Sequence, residues 1–195
     1  MCGVCVIGYS VGASQAAHAV AFHDLADLVD AVVPVAGPMT ADIAAGCRRD
    51  GSPAQYLEPD RSSARRRIDD SFDAGDPSTG PCSADPADLA ATPAWDANSL
   101  VVSGRLDFPA TRFSFVWGDS DRTGAVGQGI AHLAALAAAG SPLLTYDCAD
   151  AHHDVFELPA GVAAIVAAVL WVPDDGVNVP PVPVASATNP RCPLT

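Results

Sequence analysis

Four short apolar runs recur along the chain, and three of them lead into stretches where small and apolar residues keep helical spacing. The first, Val4 to Ile7, passes through Gly8-Tyr9-Ser10-Val11-Gly12 into an alanine-rich pattern from Val11 to Val29, where Ala13, Ala16 and Ala17 let a helix lie close to a strand. The second, Ala31 to Ala36, stops at Gly37-Pro38 and reads as a buried parallel strand despite Pro34. Phe113 to Trp117 and Leu143 to Tyr146 read as two more strands, with helices predicted over Gly127 to Ala139 and Gly161 to Val172. Alternation of this kind predicts an α/β fold: a mostly parallel open sheet with flanking helices and right-handed crossovers.

Between Thr40 and Leu106 the periodicity fades, and Pro53, Pro59, Pro77, Pro81, Pro86 and Pro93 interrupt the chain. This segment reads as a loop-rich insertion with short helices at most, and its Arg65-Arg66-Arg67 run as a solvated face. From Pro173 to Thr195 the chain is rich in proline and valine without a period, an extended tail. The expected organisation is a core over residues 1–172, an insertion over 40–106 and a tail over 173–195.

With 195 residues, 49% of them hydrophobic, the chain can bury one core and is short for two domains. The net charge of -13, with ten Arg and no Lys, opposes binding to nucleic acid or to anionic membrane. The longest apolar run, Ala160 to Val172, is far below a membrane span and suits a buried helix. Met1 opens onto a strand, so no signal peptide is read here. Six cysteines nevertheless predict disulfides and an extracellular or periplasmic setting, with Cys47 paired to Cys82 and Cys148 to Cys192. Cys2 and Cys5, three apart on a strand, read as buried strand residues and not as a redox pair.

The chemistry gathers after the strands. Ser10 stands in a G-x-S-x-G pattern between strand and helix, a turn that projects the hydroxyl above the sheet, with glycines two positions either side giving room to bend. Gly118-Asp119-Ser120-Asp121 follows the third strand and Asp150-Ala151-His152-His153-Asp154 the fourth, so carboxylates and imidazoles fall on the edge where parallel sheets bind ligands. A serine hydroxyl needs an imidazole to take its proton, and a carboxylate to orient that imidazole. Ser10 is the candidate nucleophile, one of His152 and His153 the base, and one of Asp119 and Asp121 the acid. A rival metal site at Asp150, His152, His153 and Asp154 lacks a third anchor, so no metal and no cofactor are expected. His18, His23 and His132 read as surface or packing residues; Trp95, Trp117 and Phe156 line an acyl pocket or belong to the core.

On these motifs, in the order serine, aspartate, histidine, the chain resembles the α/β-hydrolase family over about Cys2 to Val172, apart from the insertion. In that family the elbow follows the fifth strand, so the resemblance is to the C-terminal half of the fold, a partial α/β-hydrolase. The family spacing selects Asp121, three residues after the glycine that ends its strand, with Asp119 as the alternative. It selects His153, followed by Val155-Phe156, with His152 as the alternative. The resemblance implies a backbone donor for the oxyanion at Val11 and a second donor on a loop that precedes the elbow. The implied function is a serine hydrolase that cleaves carboxylic esters through an acyl-enzyme; a serine peptidase of the same fold and a truncated, non-catalytic hydrolase-like module are the alternatives. The expected partners are a small ester or acyl substrate and, at the exposed edge of the first strand, an N-terminal segment or partner protein.

Overall fold

The computed structural model describes residues 3–38, 40–42, 93, 96–118, 121, 125–141, 143–148 and 151–170. The predicted disulfide partners Cys47, Cys82 and Cys192, the arginine run, Trp95, Asp119, Asp150 and the tail lie outside these residues.

Among the described residues four strands form one sheet: β1 (Cys5–Tyr9), β2 (Ala31–Val35), β3 (Arg112–Gly118) and β4 (Leu143–Cys148). They lie side by side in chain order and every pair is parallel. Ile7 is in register with Val33, Val35 with Val116, and Val116 with Tyr146. Each strand falls on one of the apolar runs, and β2 and β3, covered by helices on both faces, need them most. β2 and β3 are buried along their whole length, Pro34 included.

Among the described residues three α-helices cover the sheet: α1 (Val11–Phe22), α2 (Ala125–Ala139) and α3 (Pro159–Leu170). Ala16, Ala17, Val20 and Ala21 of α1 and Leu133 and Leu136 of α2 pack on one face, against Val32, Phe113, Phe115 and Trp117. Ala164 and Ala168 of α3 pack on the other, against Val33, Val35 and Val116. Small residues on α1, as its alanine spacing predicts, and on α3 bring the helix backbones near the strands.

The first helix ends earlier than its pattern. It was expected to reach Val29, and it stops at Phe22 because Asp24 takes a left-handed φ of 53°, a common way for a helix to end. Beyond it, Asp30 anchors the start of β1: its Oδ2 accepts the N–H groups of Gly3 and Val4, each at 2.7 Å. Those two bonds hold its carboxyl below the usual carboxylate range.

The ends of the segment assigned to the insertion belong to the core. The N–H groups of Leu100 and Val101 donate to the carbonyls of Thr40 and Ala41, and Leu100 is fully buried beside Phe108. Gln128 on α2 exchanges two hydrogen bonds with the backbone of Asp42, at 2.8 and 2.7 Å, fixing the loop after β2. Cys5 was read as a buried strand residue; it lies on β1 as expected but is half-buried, and it is disulfide-bonded.

Candidate active site

Parallel strands end on one edge, and the three predicted positions follow three of them: Ser10 after β1, Asp121 after β3 and His153 after β4. At Ser10 the backbone adopts φ 54° and ψ -119°, a conformation that costs a non-glycine residue about 1 to 3 kcal/mol. The surroundings impose it. The Ser10 N–H donates to Val35 O at 2.9 Å, tying the turn to the end of β2, while its carbonyl accepts from Ala13 N at 3.0 Å and starts α1.

The two flanking glycines are not equivalent, which corrects the expectation that both relieve the bend. A Cβ at Gly8 would stand 2.1 Å from Gly12 O, so only glycine fits where the strand passes under the helix start; a Cβ at Gly12 would meet nothing within 4 Å. A second close approach supports the other half of the site. A Cβ at Gly118 would stand 2.3 Å from Ala151 O, so this glycine lets the histidine loop lie against the end of β3. The chain then turns, with Asp121 N–H donating to Gly118 O at 3.2 Å.

These supports bring Ser10, His153 and Asp121 into contact. Nε2 of His153 is 2.8 Å from Ser10 Oγ, and Nδ1 is 2.9 Å from Asp121 Oδ2. The Asp121 side chain is fully buried, whereas that of His153 is 25% exposed. A buried carboxylate on Nδ1 fixes the tautomer with the proton on that nitrogen, leaving Nε2 as an acceptor for the serine hydroxyl. Val11 is the first residue of α1, where backbone N–H groups have no intrahelical acceptor and the helix dipole favours negative charge. His152, the alternative base, is exposed to solvent. Asp119, the alternative acid, lies outside the described residues.

One aromatic ring adjoins the imidazole and a second backs the first. Tyr9 lies 5.2 Å from His153 between ring centroids, and Phe156 lies 4.2 Å from Tyr9. Both are 37% exposed, so Phe156 flanks the site and is not core. The spacing singled out Phe156; it gave no sign of Tyr9, whose contact with a residue so distant in sequence arises only in the folded sheet. Trp117 is a core residue of the opposite face, buried to 3%. His132 is buried between Phe113 and Phe115 and takes no part in the site. Among the described residues no group of three His, Cys, Asp or Glu is arranged to hold a metal ion, and no helix is long and apolar enough to cross a membrane.

No protein-family model, no curated protein and no solved structure matches the chain.

Proposed function

We propose that the chain is a serine hydrolase of the α/β-hydrolase type that cleaves carboxylic esters through an acyl-enzyme. The observation that carries this reading is one imidazole held between a hydroxyl at 2.8 Å and a buried carboxylate at 2.9 Å, with that hydroxyl on a strained turn at the start of a helix. Ser10 Oγ attacks the ester carbonyl as its proton passes to His153 Nε2, and Asp121 stabilises the imidazolium. The oxyanion that forms is turned toward the Val11 N–H and the start of α1. Collapse of the intermediate breaks the carbon–oxygen bond to the alcohol, which takes the proton from Nε2 and leaves Ser10 acylated. Water, deprotonated by the same imidazole, releases the acid and restores the hydroxyl. The disulfide at Cys5 and the six cysteines favour an extracellular or periplasmic setting. The test is labelling with a fluorophosphonate and turnover of p-nitrophenyl esters: Ser10 takes the label, and Ser10→Ala loses both label and turnover. An unlabelled wild-type protein refutes the reading.

A hydrolase-like module that is incomplete on its own is favoured by one further observation. β1 is an edge strand of the described sheet, with Val4 and Ile7 about half exposed. If a second oxyanion donor is missing, Ser10 still takes the fluorophosphonate while ester turnover is lower by about 10²- to 10³-fold.

A further inference from the structure

His153 sits within residues 151–154, which form neither helix nor strand, just before the 3₁₀ turn Val155–Glu157. Its hydrogen bonds to Ser10 and Asp121 run through the two ring nitrogens, and bonds of that kind restrain rotation within the plane of an imidazole more than tilt out of it. The Tyr9 ring lies against the imidazole. It is tilted 42° to the imidazole at 5.2 Å and is backed by Phe156 at 4.2 Å and 54°. Val155 is fully buried in the core under α3, so the turn that carries Phe156 is fixed in place.

We propose that Tyr9 is a positioning residue: its ring, braced by Phe156, holds the His153 imidazole in line between Ser10 and Asp121 and faces the imidazolium that forms during attack. The centroid separation lies within the reach of a cation over an aromatic face. The contact strengthens as charge develops on the imidazole, so its effect falls on kcat and not on KM. Among the described residues, the charged and titratable groups around the pair are Asp121, which follows β3, His152 and Asp154 beside His153, and Glu157 on the turn. Burial, followed by Asp121, Asp154 and Glu157, raises the Tyr9 hydroxyl above the usual tyrosine value, so the phenol stays neutral. The working element is therefore the ring, and phenylalanine should replace it.

The kinetic arm rests on the serine hydrolase reading; the spectroscopic arm does not. Tyr9→Leu is expected to lower kcat on a p-nitrophenyl ester about 3- to 10-fold with KM within about twofold, and Tyr9→Phe to return kcat to within about twofold of wild type. In proton spectra, the low-field resonance of the Nδ1–H shared with Asp121 is assigned by its loss in His153→Ala. It stays sharp in the wild type and in Tyr9→Phe and broadens in Tyr9→Leu. Phe156→Ala, at an exposed site, changes both readouts in the same direction by less and serves if Tyr9→Leu does not fold. The proposal is overturned if the Leu variant keeps both its kcat and its resonance, if Tyr9→Phe is as impaired as Tyr9→Leu, or if the wild type lacks the resonance. A wild type inert to esters and to fluorophosphonate refutes the hydrolase reading, and the spectra then decide the role of Tyr9 alone.

Discussion

Mild acid should unfold this protein through two histidines remote from the site chemistry. His132 is enclosed by Phe113 and Phe115, and burial, followed by the nearby His18, pushes its imidazole down to about 3. His18, stacked on Phe22, is pushed down to about 4, again by burial first and then by His23. In the unfolded chain both titrate near 6.5. The folded state holds them neutral, so the unfolded state binds more protons and stability is lost as pH falls below 6.5. At pH 5 each group favours the unfolded chain by about 2 kcal/mol, since 1.5 pH units lie between 6.5 and 5 and each is worth about 1.4 kcal/mol. The two together cost about 3 to 4 kcal/mol, with His18 discounted for its partial exposure. That is a large share of the 5 to 15 kcal/mol typical of a domain. The bonds to Asp30 act at lower pH, because its depressed carboxyl weakens the fold only below the ordinary carboxylate range. The assay is urea unfolding at pH 7.5 and pH 5.0, followed by circular dichroism, for the wild type and His132→Phe. The variant keeps an aromatic ring between Phe113 and Phe115 and removes an Nδ1 that has no hydrogen-bond partner, so at pH 7.5 it should be at least as stable. Between the two pH values it should lose about 2 kcal/mol less than the wild type. Equal losses in the two proteins would refute the reasoning.

The elbow glycines should separate sharply. Gly8→Ala forces a Cβ onto the Gly12 carbonyl and should cost more than about 3 kcal/mol or prevent folding, whereas Gly12→Ala should be neutral or stabilise α1 by up to about 1 kcal/mol, both read from thermal unfolding. Asp121→Asn leaves the shape of the site intact and favours the wrong imidazole tautomer, so kcat for ester hydrolysis should fall by about 10⁴-fold. His152→Ala should retain ester turnover and His153→Ala should lose it; the reverse result would exchange the roles of the two.

The strands were legible because each falls on a short apolar run, which for β2 and β3 the fold buries along its whole length, and the order of Ser10, Asp121 and His153 was legible because each follows its own strand. What escaped the sequence depended on single backbone angles or on contacts through space. Nothing in the Val11 to Val29 pattern marks Asp24 as left-handed, yet that residue ends α1. The different roles of Gly8 and Gly12 depend on which carbonyl passes over which Cα, a crossing the symmetric G-x-S-x-G pattern does not encode. Leu100 sits in proline-broken sequence and is a core residue because the chain around it pairs with Thr40 and Ala41.

The hydrogen bond between Ser10 and His153 joins positions 143 residues apart. Closing a loop of that length costs on the order of 4 kcal/mol in chain entropy, and no local element holds the two groups together. They meet only when β1 through β4 are paired in order. Reactivity of Ser10 is therefore a gauge of the entire sheet: its loss on warming or in denaturant should mark the first strand to detach, ahead of any change in helix content.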